Sequence, residues 1–327
     1  MTSNDAEFKR AAVIGMGSVG SGWAALMLAK GMTVRAYDPA PDGEARSKAL
    51  ITGSWPSLVQ LGLTDLAQPA FETLSFHDAI ADTVRDAEVI FENVPEKLSL
   101  KHDVLTEVSS SAPIDALILS SAGGLPTTEL QRVCENPARV VVMHPFNPAH
   151  LIPLVEIVPG KHTADATVES AHAFARAIGK YPITIKKEST GHMVNRLQFA
   201  LVRESIRCMM DGVASPQDID AAVRYGLAPR WVLMGGLQTV ALAGGPGGMR
   251  GIIDHAGEAM QSWWTTHEDV VLNDAVKEKL IDAAADLAGE GGFEDWASWR
   301  DTQLVTLLNF LSETETTRPD VNKEQKK

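Results

Sequence analysis

Apolar residues in the first half of the chain come in short runs that alternate with longer stretches of helical spacing. The runs that predict strands read AAVI from residue 11, then TVRAY, AEVIFENV, ALILSS, RVVVMHP and YPITIKK. The segments between them, such as SGWAALMLAKG, TTELQRVC and TADATVESAHAFARAIGK, have the period of helices. This alternation predicts an α/β fold in which helices cover a mostly parallel, Rossmann-type sheet.

The second half of the chain has a helical pattern throughout. From TGHMVNRLQFALVRESIRCMMDG onward, apolar positions recur at helical spacing. In SPQDIDAAVRYG, we expect Ser215 to cap a helix, Pro216 to occupy its first turn and Gly226 to end it. A chain of 327 residues has room for about two domains. We therefore predict a Rossmann-type domain over residues 1–188 and an all-α domain over residues 189–327.

The first strand is followed by a glycine motif of the type that binds dinucleotides. Gly15 allows a tight turn, Gly17 lets a pyrophosphate approach the backbone, and Gly20 lets the helix pack closely on the strand. Asp38 ends the second strand, 23 residues after Gly15, where an acid binds the ribose diol. Pro39 and Ala40 follow it, so no arginine at those positions meets a 2′-phosphate, and NAD is favoured over NADP. The predicted contacts in this segment are Gly15, Gly17, Ser18, Val19, Gly20 and Asp38.

The alternative for this segment is a structural turn with an exposed Asp38. A glycine motif alone is weak, but the strand, helix, second strand and terminal acid together favour the cofactor site. Ligands of such sheets bind at the carboxyl ends of the strands. The predicted strands end at Glu92, Asn93, Ser120, Ser121 and His144, which we therefore expect around one crevice.

Charge and cysteine content exclude several classes of protein. With 29 Lys and Arg against 42 Asp and Glu, the net charge is −13, which opposes binding to nucleic acid or an anionic membrane. Cys134 and Cys208 stand far apart, which fits a reducing compartment and predicts neither a disulfide nor a metal site. The polar N-terminus is not a signal peptide and no apolar run is long enough to span a bilayer, so we expect a cytoplasmic protein. The charged tail from residue 313 lacks periodicity, and we expect it to fray.

Several motifs resemble the 3-hydroxyacyl-CoA dehydrogenase family over residues 9–312. They are the glycine motif, ENVPEKLSLK, HPFNPAHLIPLVEIV and GHMVNRL. Further stretches are similar to the branch that oxidises free hydroxy acids, typified by L-carnitine and L-gulonate 3-dehydrogenases. These are SWPSLVQLGL, DGVASPQDIDAAVRYGLAPRWVLMG and LAGGPGGMRGIIDHAGEAM.

The resemblance implies a role for each residue that matches. His144 would be the general base that takes the hydroxyl proton while hydride passes to NAD, and Glu156 would orient it. Asn195 would bind the substrate oxygen, and Glu96 and Lys101 match positions that contact the cofactor. Histidine suits proton transfer near neutral pH, and a carboxylate within hydrogen-bond distance fixes its tautomer. The alternative is a histidine that caps backbone at a strand end, with an outward-facing glutamate.

The chain departs from the family pattern after the strand that precedes His144. Members usually have Ser-Asn-Thr-Ser or Ser-Ser-Thr-Ser there, whereas this chain reads SSAGGLP, with Gly123 at the position of the last serine. Ser121 or Asn195 could bind the reacting oxygen alone, the glycine could admit a bulkier substrate, or the protein could be a poor enzyme. We expect a working enzyme with an altered substrate. Predicted substrate contacts are Ser120, Ser121, Gly123, Asn195 and Arg230.

The substrate is expected to be a free hydroxy acid. The segment after the second strand contains only Arg46 and Lys48 as basic residues, which suits coenzyme A poorly. Arg230 lies among apolar residues and could bind a carboxylate through two hydrogen bonds, or it could cap a helix at the surface. Five tryptophans of the second half could hold a quaternary ammonium, but core or interface positions are the favoured alternative. The rival functions are a 3-hydroxyacyl-CoA dehydrogenase and a catalytically weak NADH-binding structural protein, and we expect a homodimer.

Overall fold

A computed structural model describes residues 8–265, 270–290 and 292–315. Among these, residues 8–196 and 299–315 form one compact unit, and residues 197–298 form a second. The polar N-terminus before Phe8 and the charged tail after Glu315 lie outside the described residues, so the expectations for both remain predictions. No helix in the described ranges is long and apolar enough to cross a bilayer.

One eight-stranded sheet organises the first unit. Its strands are β1 (Arg10–Ile14), β2 (Thr33–Tyr37), β3 (Leu74–Phe76), β4 (Val89–Glu92), β5 (Leu117–Ser120), β6 (Val140–Pro145), β7 (Leu154–Pro159) and β8 (Tyr181–Thr184). The spatial order is β3-β2-β1-β4-β5-β6-β7-β8. All neighbours are parallel except β6 and β7. The predicted mostly parallel, Rossmann-type sheet is therefore confirmed.

Helices cover both faces of the sheet. They are α1 (Ser18–Ala29), α2 (Gly43–Gln60), α3 (Ile80–Val84), α4 (Leu98–Ser111), α5 (Thr127–Leu130) and α6 (Asp165–Ala177). Alternate residues of β1 enter two separate cores. Ala11 and Val13 pack with α1, α2 and α6, whereas Ala12 and Ile14 pack with α3 and α4. The central strands β4, β5 and β6 are buried at every position, as a parallel sheet covered on both faces requires.

The remaining helices confirm the all-α C-terminal part. They are α7 (Val194–Met210), α8 (Pro216–Ala221), α9 (Ala228–Met234), α10 (Gly236–Ala243), α11 (Gly248–Thr265), α12 (Asp274–Ala288) and α13 (Phe293–Glu315). The Ser215 hydroxyl accepts the Asp218 amide, so the predicted cap of α8 is confirmed. The predicted stop at Gly226 is wrong, because a π-helical turn, Ala222–Leu227, continues into α9. The helix ends at Gly235, whose φ of +78° favours glycine.

The antiparallel pairing of β6 with β7 is the feature that builds the site. In its register His144 lies directly opposite Glu156. Residues directly opposed on antiparallel strands project from the same face of the sheet. The twelve-residue separation is thus the length of a hairpin that places the two side chains together. The outward-facing alternative for Glu156 is wrong, since its side chain is fully buried.

Candidate active site

The glycine motif forms a cradle with the shape that a pyrophosphate needs. Gly15 has a φ of +85°, which favours glycine. Gly17 precedes α1, no side chain caps the helix there, and a Cβ at Gly17 would meet no atom within 4 Å. The first-turn amides of α1, at Ser18 and Val19, therefore face open space, as phosphate binding at a helix N-terminus requires.

Replacing Gly20 with alanine is expected to weaken NADH binding by at least about tenfold. Its Cβ would lie 1.9 Å from the Gly15 carbonyl oxygen, so the phosphate loop must move to accommodate it. Fluorescence titration with NADH measures the loss. Gly53→Ala is the matched control, because no atom lies within 4 Å of its Cβ position in α2. Equal NADH affinity in both variants would show that this close packing does not shape the site.

Asp38 is positioned for a ribose diol at the end of β2. Its Oδ2 accepts the amide of Met16 at 2.8 Å, and its Oδ1 accepts that of Ala40 at 3.0 Å. Helix α2 places the Arg46 guanidinium 3.7 Å from the Asp38 carboxylate and 3.4 Å from the Asp42 carboxylate. The residues next to Asp38 in the chain gave no sign of this arginine. Two carboxylates outweigh the one guanidinium, so this edge favours a neutral diol over a 2′-phosphate.

A buried ion pair lies under the carboxyl ends of β4 and β5. Lys101 Nζ contacts the Glu92 carboxylate oxygens at 2.8 and 3.1 Å and donates to the Val94 carbonyl at 3.0 Å. The Ser120 hydroxyl donates to Glu92 Oε2 at 2.5 Å. Lys101, Glu92 and Ser120 are all fully buried. Lys101 is predicted to contact the cofactor and Ser120 to contact the substrate. Both side chains already bind Glu92, so these contacts would have to form with side chains that are engaged elsewhere.

Glu96 holds the glycine-rich loop that follows β5. Its Oε1 accepts the amides of Gly123, Gly124 and Leu125 at 3.1, 3.0 and 3.2 Å. The carboxylate therefore fixes the loop that stands where the family has its serine. Ser121 lies beside this loop, with its hydroxyl donating to Asn93 Oδ1 at 2.7 Å and accepting the indole N–H of Trp23 at 3.0 Å.

His144 and Glu156 form a buried hydrogen-bonded pair. The Nδ1–Oε2 distance is 2.9 Å. The other oxygen, Oε1, accepts the amides of Met193 and Val194, just where α7 begins, at 3.0 and 2.9 Å. Burial raises the pKa of Glu156, but the hydrogen bonds from His144 and the two amides outweigh it and leave the pKa lowered. The carboxylate is thus held ionised, and it places a proton on Nδ1 of the neutral imidazole.

The other imidazole nitrogen faces the position that a side chain at residue 123 would occupy, and we call this position the hollow at Gly123. A Cβ on Gly123 would lie 3.2 Å from His144 Nε2 and 3.8 Å from Asn195 Nδ2. Asn195 donates one Nδ2 hydrogen to the Gly123 carbonyl at 3.0 Å, which leaves its second amide hydrogen. An unprotonated ring nitrogen and an amide donor therefore flank the same small space. A substrate hydroxyl needs one acceptor and one donor of this kind.

Arg230 lies in the second compact unit. It is exposed, and its guanidinium donates to the Gly226 carbonyl at 2.8 Å, one helical turn earlier. This contact matches the alternative in which Arg230 caps a helix at the surface. Binding of a carboxylate by Arg230 remains a prediction.

The five tryptophans of the second half are all exposed, so the core alternative is wrong for them. They are Trp231, Trp263, Trp264, Trp296 and Trp299.

The sequence analysis missed two residues that support the site. Lys180 is buried and donates to the carbonyls of Ala149 and Ile152, in the loop that joins β6 to β7. Burial lowers its pKa to about 7. His192 is also fully buried and packs 5.3 Å from the ring of His144. The only available signal for His192 was its position inside the GHMVNRL motif, three residues before Asn195.

Comparisons with known proteins identify the family of the chain. Residues 10–189 match the family model of the 3-hydroxyacyl-CoA dehydrogenase NAD binding domain, and residues 191–287 match that of its C-terminal domain. An L-carnitine dehydrogenase of Streptomyces coelicolor is 41% identical over 94% of this chain and 96% of its own. One of Streptomyces griseus is 40% identical over 92% and 90% of the two chains.

A solved structure with a similar fold covers almost the whole chain. It is that of 5-formyl-3-hydroxy-2-methylpyridine 4-carboxylic acid 5-dehydrogenase, an NAD+ dependent dismutase. It is 29% identical with a TM-score of 0.76, and the match covers 94% of this chain and 99% of that one. Both family models and the relatives together span most of the sequence, and the protein belongs to the 3-hydroxyacyl-CoA dehydrogenase family of NAD-dependent oxidoreductases.

Proposed function

We propose that the protein oxidises the 3-hydroxyl of a free 3-hydroxy acid to the 3-keto acid, with His144 as general base. The observation that carries the proposal is the 2.9 Å contact between His144 Nδ1 and Glu156, which leaves Nε2 unprotonated beside the hollow at Gly123. The relatives named as L-carnitine dehydrogenases support a free acid as the substrate, because their similarity extends over nearly the whole chain.

His144 Nε2 takes the hydroxyl proton as the C–H bond of the substrate breaks. NAD, when bound, supplies the acceptor for the hydride that leaves with that bond. Glu156 stabilises the imidazolium that forms, because its carboxylate is ionised and lies against Nδ1. The free amide hydrogen of Asn195 donates to the substrate oxygen and keeps it next to Nε2.

The cofactor-binding residues we propose are those of the glycine cradle together with Asp38. Gly15, Gly17 and Gly20 leave the space, and the amides of α1 supply the donors. Glu96 acts on the site by holding the loop at Gly123. Lys101 contributes by neutralising Glu92 beneath the crevice.

A panel of substrates, followed by NADH absorbance, tests the proposal. It contains carnitine, gulonate, 3-hydroxybutyrate and aryl-substituted 3-hydroxy acids, with acetoacetyl-CoA reduction assayed in parallel. We expect a free acid to be turned over with a higher kcat/KM than the thioester. Preference for acetoacetyl-CoA would favour the acyl-CoA alternative. Tight NADH binding without turnover of any member would favour the structural protein.

Replacing Gly123 with serine is expected to shift preference from bulky to small acids. The added Cβ would lie 3.2 Å from His144 Nε2, so the side chain would occupy the hollow beside the reacting oxygen. We expect the ratio of kcat/KM for an aryl-substituted acid to that for 3-hydroxybutyrate to fall on the order of tenfold or more. Gly124→Ser is the matched control, because its Cβ would face Gly191 at 3.6 Å. An unchanged ratio in Gly123→Ser would mean that the hollow does not receive the substituent.

A second candidate is a ring-bearing acid, which the hollow at Gly123 favours. The structure with a TM-score of 0.76 belongs to a dehydrogenase of a pyridine carboxylic acid. With glycine at position 123, a planar ring of the substrate can occupy the space that a serine side chain would fill. Turnover of the aryl-substituted members of the panel in preference to carnitine and gulonate would select this candidate.

We also propose that the domain boundary lies between residues 188 and 189, that the protein is cytoplasmic, and that Arg230 binds the substrate carboxylate.

We further propose that the protein is a homodimer. The second unit exposes large apolar side chains that include Leu237, Phe293 and Trp264. Apolar exposure of this extent is typical of a surface that another chain covers. Light scattering at micromolar concentration is expected to give twice the mass of 35.1 kDa. A monomer would contradict the dimer.

A further inference from the structure

His192 combines two features that cost stability. Its φ is +49°, and it is the one residue other than glycine with positive φ in the described part of the chain. Left-handed backbone is strained for a residue with a Cβ. Its side chain is also fully buried, and its Nδ1 has no hydrogen-bond partner among the described residues. A phenylalanine would avoid the second cost, so stability alone does not explain a histidine here.

The other ring nitrogen of His192 has a defined partner. Nε2 lies 3.0 Å from the carbonyl oxygen of Ala122. Since a carbonyl only accepts, Nε2 must carry the proton. Burial lowers the pKa of His192, which favours the neutral ring with its proton on Nε2. The residue thereby ties the turn before α7 to the loop that contains Gly123.

The backbone of His192 determines where the next two amides point. The His192 amide donates to the Ser189 carbonyl at 3.0 Å, and Ser189 Oγ donates to the His192 carbonyl at 3.2 Å, which closes a turn. The amides of Met193 and Val194 follow at once and donate to Glu156. The left-handed conformation is thus placed where the chain turns to present both donors to the carboxylate that orients His144.

We propose that His192 is a positioning residue: its Nε2–H binds the Ala122 carbonyl, and its left-handed backbone aims two amides at Glu156. It therefore acts on His144 through Glu156 and through the loop at Gly123. The titratable groups that face His192 are His144 on β6, Glu156 on β7 and Glu96 before α4. This inference rests on the proposed function, because it assigns a purpose to the alignment of the His144–Glu156 pair.

Two substitutions of His192 separate the effect of its Nε2–H donor from the effect of its ring volume. His192→Phe keeps an aromatic ring and removes Nε2–H, whereas the amide nitrogen of His192→Gln can donate in its place. We expect kcat/KM of His192→Phe to fall on the order of tenfold to a hundredfold, because the pair loses its alignment. The acid limb of its pH profile should move to lower pH, because a displaced carboxylate no longer favours the protonated form of the base. His192→Gln should recover most of the loss and return the limb toward its original position.

His172→Phe is the matched control, since this histidine lies on α6 and its Nε2 contacts the Thr184 hydroxyl at 2.6 Å. It should leave both kcat/KM and the limb unchanged. Full activity with an unmoved limb in His192→Phe would overturn the proposal. Equal losses in the Phe and Gln variants with an unmoved limb would also overturn it, because ring volume alone would then explain them.

Nitrogen-15 NMR of the unaltered protein supplies an independent measurement if the variants do not fold. His150 and His192 are both expected to titrate at lower pH than an exposed histidine, because burial lowers the pKa of each, and the neutral ring of His192 is expected to carry its proton on Nε2. If no histidine combines a lowered titration with a proton on Nε2, the inference is contradicted. His144→Gln separates this failure from that of the proposed function. An inactive His144→Gln together with a fully active His192→Phe would refute only the role of His192. An active His144→Gln would refute the general base and with it the proposed function.

Discussion

Replacing His144 with glutamine is expected to lower kcat for hydroxy acid oxidation by about three orders of magnitude. The glutamine amide can still meet Glu156, but it has no basic nitrogen to take the hydroxyl proton. The affinity for NADH should not change, because the glycine cradle follows β1 and Asp38 follows β2, whereas His144 belongs to β6. Stopped-flow measurement of NADH formation at saturating acid separates loss of the chemical step from loss of binding.

The matched control for this variant is His172→Gln. His172 lies on α6, and its Nε2 contacts the Thr184 hydroxyl at 2.6 Å. It should retain the original kcat. If His144→Gln loses less than about tenfold, another group takes the proton, and the proposal for the dyad is refuted.

The local part of the fold could be predicted from sequence because short-range physics determines it. The strand, glycine turn, helix and terminal acid around Gly15 and Asp38 each depend on residues close together in the chain. The crevice at the strand ends followed from the parallel topology alone, and the structure does bring Glu92, Asn93, Ser120 and Ser121 together there. A three-residue strand, Leu74–Phe76, was missed because so short a run has no readable period.

The orientation of side chains at that crevice could not be predicted in the same way. Glu92 and Ser120 end buried strands, yet their polar groups turn inward, because Lys101 reaches Glu92 from α4 and the Ser120 hydroxyl donates to the same carboxylate. This pairing depends on how the helix docks on the sheet. The register that opposes His144 to Glu156 likewise depends on a hairpin geometry that spacing permits but does not determine.

Gly123 is a position where the sequence motif and the structure give different information. The sequence showed that the family serine is missing, but it left open what replaces it. In the structure the loop is fixed by three amides bound to Glu96, and the missing side chain leaves space against His144 Nε2. Because the loop is well supported, the departure is better explained by a different substrate than by a damaged site.

Replacing Lys101 with methionine is expected to destabilise the protein by roughly 3–5 kcal/mol, because it leaves the Glu92 carboxylate buried without its cation. That is a large share of the usual free energy of unfolding of about 5–15 kcal/mol. Urea denaturation measures it, with the exposed Lys97→Met as the matched control. Adding Glu92→Gln should restore part of the stability, since the uncompensated charge is then gone. A direct role of Lys101 at the cofactor predicts the opposite pattern, in which the single variant keeps its stability and loses NADH affinity that Glu92→Gln does not restore.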